Sequence, residues 1–200
     1  MNTTTLAGLE RTLWTAGTVL GLWCGAVLME ARYFSTLPVP PAAAVATLPG
    51  ENEPGDARPD SPSAGATGSW VGRLEAPTVD LLATVLEGSD AATLARAAGR
   101  IEYTAVPGAP GNVGIAGHRD TVFRPVRHLE VGDPLILTTA THTFSYRVSA
   151  LTVVDPDQVQ VLDPSPLPML TLVTCYPFDY IGPAPRRFIV SAALVGRAPR

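Results

Sequence analysis

With 200 residues and 46% apolar side chains, the chain has room for one modest domain plus accessory segments. A formal net charge of -4 provides no basic footprint, which excludes nucleic acid as a partner. All 14 basic residues are arginine, so lysine Schiff-base and P-loop lysine chemistry are closed to it.

Near the N-terminus, residues 12–29 form the uncharged run "TLWTAGTVLGLWCGAVLM", with Arg11 before it and Glu30 and Arg32 after it. A run of this length meets the lower limit for a membrane-spanning helix. It is long for the apolar part of a secretory signal, and the small-residue stretch Ala42–Ala46 lies too far beyond it to serve as a cleavage site. The expectation is a retained anchor over residues 1–34. Flanking charge is too balanced to set its orientation. Residues 35–69 are dominated by Pro, Ala, Gly, Ser, Glu and Asp and carry no apolar periodicity, so they read as a flexible tether. Largely extended, such a segment would reach on the order of 100 Å. "LPVPP" and "LPGEN" within it are read as linker.

The folded domain is expected over residues 70–200. Its apolar runs are short, rich in β-branched residues and bounded by turns: "TVDLLATVLEG", "NVGIAGH", "PLILTT", "TFSYRVSALTVV", "MLTLVTC" and "RFIVSAALV". Phe144, Tyr146 and Val148 alternate with polar residues, the period of a half-buried strand. One helix is expected in "DAATLARAAG", capped by Ser89 and ended by Gly99, with a shorter helical turn around "PVRHL". Many strands with few helices point to an all-β barrel or sandwich.

The chemistry-bearing residues are few. Cys24 lies in the apolar N-terminal run and reads as an inert small apolar residue. A disulfide needs Cα atoms within roughly 7 Å, so Cys175 is expected to be a free thiol. It ends an apolar strand immediately before "YPFDY", and strand ends offer the partial exposure that a reactive thiolate needs. His118 leaves a short strand in a turn with glycines at 111, 114 and 117, beside Arg119 and Asp120, whereas His128 and His142 read as structural. Arg186 and Arg187 open the last strand, joined to the cysteine strand by a Pro-rich loop. Three scattered histidines without an HExxH motif give no metal site, and no cofactor is implied.

In order along the chain, "GNVGIAGHRDTVF", "VGDPLILTT", "TLVTC" and "YPFDYIGPAPRRFIV" resemble the sortases, membrane-anchored cysteine transpeptidases of bacterial surfaces, and most of all the class D type. The likeness runs over nearly all of residues 72–195. It implies a closed β-barrel of about eight strands with few short helices. It also implies an enzyme that cleaves a Leu-Pro-any-Thr-type sorting signal through a cysteine thioester and passes the acyl group to an amine. Its partners would be sorting-signal-bearing surface or pilin-like proteins, with the catalytic domain on the extracytoplasmic side of the cell membrane. Carried over by residue, Cys175 matches the nucleophile, His118 the histidine, and Arg187, rather than Arg186, the arginine. Thr174, Asp120 and Arg186 are candidates for contact with the substrate. Asp120 could equally accept from the imidazole or simply end the turn, and Thr174 could simply form strand. Alternatives from other classes are a catalytically idle binding module on the same fold and a thiol peptidase that only hydrolyses. A cell-wall L,D-transpeptidase is disfavoured because the usual Ser-any-Gly-Cys motif is absent.

Overall fold

The computed structural model describes residues 65–200 together with isolated positions between 14 and 29. Most of the expected anchor and nearly all of the tether therefore lie outside the described residues. Among those residues, no helix is long and apolar enough to cross a membrane.

Eight strands follow in chain order: β1 (Trp70–Ala76), β2 (Leu81–Glu87), β3 (Ala98–Arg100), β4 (Asn112–Ala116), β5 (Pro134–Thr138), β6 (His142–Val154), β7 (Met169–Tyr176) and β8 (Arg186–Pro199). They close into a barrel in the spatial order β1-β2-β3-β4-β7-β8-β6-β5, with β5 returning to β1. The all-β, eight-stranded architecture expected from the family resemblance is the one observed. Alternation builds its core. In β6, Phe144, Tyr146 and Val148 are each about 2% exposed, and Leu170 and Leu172 of β7 and Val190 and Ala192 of β8 are fully buried. Each large apolar side chain so buried contributes roughly 1.5–3 kcal/mol. The same burial pushes the Tyr146 phenol up to about 12.

The β2–β3 and β4–β7 pairs are parallel, and parallel neighbours need crossover connections. The first crossover replaces the expected helix. Only Ala91–Leu94 is helical, its N-cap is Asp90 rather than Ser89, and Gly99 lies inside β3. Both differences have a physical cause. The Ser89 hydroxyl is engaged by Glu102 at 2.8 Å, which leaves Asp90 to accept from Ala92 N (2.9 Å), Thr93 N (3.1 Å) and the Thr93 hydroxyl (2.6 Å). Pairing of Leu86 with Gly99 and of Glu87 with Arg100 then draws the end of the segment into the sheet. Gly99 is there for room, because a Cβ would stand 2.1 Å from the Gly88 carbonyl oxygen.

That pairing also buries an ion pair. Arg100 is 0% exposed and its guanidinium holds both Glu87 carboxylate oxygens, with Nε to Oε2 at 2.7 Å. Its Nη1 donates to the carbonyls of Ile101 (3.2 Å), Thr104 (2.7 Å) and Ala105 (3.3 Å). A buried charge is tolerated only when so fully satisfied. The consequence is a fixed course for the connection that follows β3.

Candidate active site

Three strands bring the predicted residues to one end of the barrel. Cys175 is the penultimate residue of β7, a partly exposed free thiol. In the antiparallel ladder with β8 its direct partner is Arg187. On the other side β4 runs parallel to β7, with Ala116 beside Val173. The Gly117 N–H donates to the Val173 carbonyl at 3.1 Å, and the Thr174 hydroxyl donates to the Gly117 carbonyl at 2.7 Å. These two bonds carry the ladder past the end of β4 and deliver His118 alongside the Thr174–Cys175 step.

Alternation decides the faces. Leu170, Leu172 and Thr174 point into the barrel, so Val173 and Cys175 belong to its outer face. Of the three glycines before the histidine, Gly111 needs its positive φ of 119°, while the other two supply room. A Cβ on Gly117 would meet the fully buried Phe123 ring at 2.7 Å. One on Gly114 would meet Leu162 and Thr104 at 2.9 Å.

A cavity of about 240 Å³ lies on this outer face. Ala116, Val173, Arg187 and Ile189 are among the residues that line it. Ile101 and Tyr103 form one wall, and the 3-10 turn Val159–Leu162 of the β6–β7 connection forms the other. Cys175 and His118 do not line it. They lie one alternation beyond Val173 and Ala116, about 7 Å further along their chains. The Ile101–Tyr103 wall is fixed by Arg100 from within and by Glu102 from outside. The Glu102 carboxylate accepts from Ser89 N (2.8 Å) and the Ser89 hydroxyl (2.8 Å), bonds that hold it below its ordinary range.

The two arginines separate clearly. Arg187 is half-buried, and within the protein its Nη1 donates to the carbonyls of Ala184 (3.2 Å) and Arg186 (3.0 Å). Among the described residues, the Nε and Nη2 donors of this fork make no hydrogen bond. Arg186 is exposed, pairs with Tyr176 and lies 5.5 Å over its ring. Asp120 is exposed, and among the described residues it makes no hydrogen bond to His118. Thr174 is buried, its hydroxyl committed to the Gly117 carbonyl. His142 lies at the far end of β6 from Val154, the partner of Arg187, and contacts Thr141 and Arg197.

Sequence reasoning assigned no task to Arg119, and the structure gives it several contacts. Its Nη1 donates to the Pro177 carbonyl (3.0 Å) and its Nη2 to those of Tyr180 (2.6 Å) and Gly182 (3.0 Å). Arg127 of the same β4–β5 connection pairs with Asp179 at 2.8 Å, lowers its carboxyl, and lies 5.0 Å over the Phe178 ring. The available signal was the loop itself: a stretch of nine residues with three prolines needs donors from outside for its carbonyls.

Known proteins resemble the chain in sequence and in fold. A family profile for the sortase domain matches residues 74–195, more than half of the chain. Sortase D of Bacillus subtilis is 37% identical over 125 residues, covering 62% of this chain and 63% of that protein. Sortase SrtE1 of Streptomyces coelicolor is 34% identical over 161 residues, covering 70% of this chain and 44% of that protein. The alignments thus span less than two thirds of the length of either relative. Among solved structures, a Clostridium perfringens sortase D5 transpeptidase matches with a TM-score of 0.60 at 32% identity, covering 65% of this chain and 81% of that one. Sortase E1 of Streptomyces coelicolor, solved with a tripeptide in its active site, matches with a TM-score of 0.60 at 31% identity, covering 66% and 92%. From an eight-stranded barrel with cysteine, histidine and arginine segments side by side at one end, and from these matches, the chain is a member of the sortase family, with class D and class E relatives among those it resembles.

Proposed function

We propose that the chain is a sortase-type cysteine transpeptidase, held at the cell membrane by residues 12–29 with its barrel on the extracytoplasmic side. It cleaves a Leu-Pro-any-Thr-type sorting signal on a surface or pilin-like protein and transfers the acyl group to an amine. The observation that carries the reading is the pairing of Cys175 with Arg187 beside the His118 segment, with Arg187 also lining a largely apolar groove.

The chemistry follows from what each group can do. The Cys175 thiolate adds to the threonine carbonyl carbon, and Arg187 offers its free N–H donors to peptide carbonyls and to the developing oxyanion. The C–N bond breaks as His118 gives its proton to the departing amine, leaving a thioester on Cys175. An incoming amine loses its proton to His118, attacks the thioester and releases the thiolate. Atoms and protons balance without a metal or cofactor. The apolar groove on the Val173 side suits the Leu-Pro portion of a peptide, whose backbone runs on toward Cys175.

The test incubates the full chain with a panel of Leu-Pro-any-Thr-any peptides and several amines, and follows products by mass spectrometry. An acyl adduct on Cys175 and a ligated product that depends on the amine are expected. Adducts that give hydrolysis regardless of amine would make it a thiol peptidase. No adduct with any peptide would favour a binding module.

A further inference from the structure

We propose that Arg119 is a positioning residue, which clamps the loop between Cys175 and Arg187 onto the turn that carries His118. The inference rests on the reading of Cys175 and His118 as the reacting pair.

The loop 177–185 leaves β7 two residues after Cys175 and enters β8 one residue before Arg187. Among the described residues, the one backbone hydrogen bond with both ends inside it is Tyr180 N to Pro177 O, at 3.4 Å. A segment so poor in bonds of its own does not dictate its shape. Arg119 supplies what the loop lacks. One planar guanidinium, carried by the residue next to His118, meets the carbonyls of Pro177, Tyr180 and Gly182 at 3.0, 2.6 and 3.0 Å. Its carbon also lies 5.9 Å from the centre of the Tyr180 ring. All three acceptors are backbone atoms, so the clamp sets the path of the loop and does not depend on its side chains. Permanent charge and a forked donor set suit arginine to several carbonyls at once, which a lysine ammonium on a flexible stem does not match.

The clamp joins the segments that matter. Thr174 ties β7 to Gly117 on the barrel side of His118, and Arg119 ties the loop after Cys175 to the residue on the other side. His118 is thus bracketed by bonds to the cysteine segment, the Thr174 bond in front and the three Arg119 bonds behind. The Arg119 bonds also fix the approach to β8, where Arg187 takes the Ala184 carbonyl of the same loop. Reacting groups misplaced by about 1 Å can lose up to about 100-fold in rate, so a bracket of this kind bears on the chemistry without touching substrate.

The experiment uses the full chain as wild type, Arg119→Ala and Arg119→Lys. Two readings need no sorting peptide: hydrogen exchange over 176–185, and the pH profile of Cys175 alkylation by iodoacetamide. His118→Ala and Arg187→Ala serve as references for an uncoupled thiol. Arg119→Ala is expected to exchange at least about tenfold faster over 176–185, with β4 and β7 unchanged. Its alkylation profile should move toward those of the two references, and Arg119→Lys should fall between it and wild type. With a peptide that forms an adduct, kcat should fall at least about tenfold with KM within about threefold. Unchanged exchange over the loop overturns the clamp. Faster exchange with an unchanged alkylation profile overturns the positioning role. If Arg119→Ala fails to fold, Arg119→Lys carries the same comparison. If wild type forms no adduct with any peptide, the transpeptidase reading falls while exchange and alkylation still decide the clamp.

Discussion

Cys175 and Arg187 face each other directly across the β7–β8 ladder, on the outer face of the barrel. Residues so opposed have Cα atoms about 5 Å apart and carry their side chains on the same face of the sheet. Arg186, its neighbour, opposes Tyr176 instead and lies over that ring. A one-residue step along a strand changes face, so the two arginines are not interchangeable.

Arg187→Ala is therefore expected to lower kcat/KM at least about 100-fold, the size of losing one oxyanion donor. Arg186→Ala should stay within about threefold of wild type, since a truncation on the other face removes no donor from the reacting carbonyl. Steady-state ligation with both variants reads the difference, and equal losses would show that the arginine role is shared.

Thr174→Val keeps the shape of the side chain and removes its hydroxyl. The Gly117 carbonyl then loses its buried donor, and chemical denaturation should show a loss of about 1–3 kcal/mol. Because this bond fixes the residue before His118, activity should fall even where the variant is fully folded. A valine variant with wild-type stability and rate would assign Thr174 a purely strand-forming role.

Arg100→Met strands the Glu87 carboxylate in the interior, where it is 4% exposed. A loss of about 3–5 kcal/mol in thermal or denaturant unfolding is expected, large enough to threaten folding at all. Replacing both partners, as Arg100→Met with Glu87→Leu, should recover most of that loss. The double variant should still have a loosened Ile101–Tyr103 wall, because the carbonyls of Ile101, Thr104 and Ala105 lose their donor. A raised KM with little change in kcat would be its signature.

Acid should loosen the same wall. The bonds from Ser89 depress the Glu102 carboxyl from its ordinary value of 4.5, so the stabilisation is complete above that value. It is lost as pH falls through the lower value of the folded state. Protection of the amides over 101–105, relative to their intrinsic exchange at each pH, should therefore fall on acidification, and Glu102→Gln should remove that response. Protection that falls equally in both proteins would place the acid response elsewhere.

Much of the fold was legible because the β6 pattern of Phe144, Tyr146 and Val148 has the period of a strand. The site was legible because its motifs are local: a histidine after a glycine-rich strand, a cysteine ending another, an arginine opening the last. The crossover after β2 was not legible, for the opposite reason. "DAATLARAAG" has the composition of a helix, and the forces that cut it to Ala91–Leu94 come from Glu87 and Glu102. Propensity in a short segment yields to a buried ion pair.

Sequence by itself determined which side chains are available for chemistry, the alternation that builds a barrel core, and the order histidine, cysteine, arginine along the chain. Tertiary structure alone decided that β4 lies parallel to β7 and β8 antiparallel to it, so that three segments distant in sequence meet at one rim. It also decided that Arg187 and not Arg186 faces the thiol, and that Arg119 grips a loop some sixty residues away, the separations being 58 to 63 positions. The reason is that register and long-range hydrogen bonds are settled by burial across the whole sheet, and no window of the chain contains both partners.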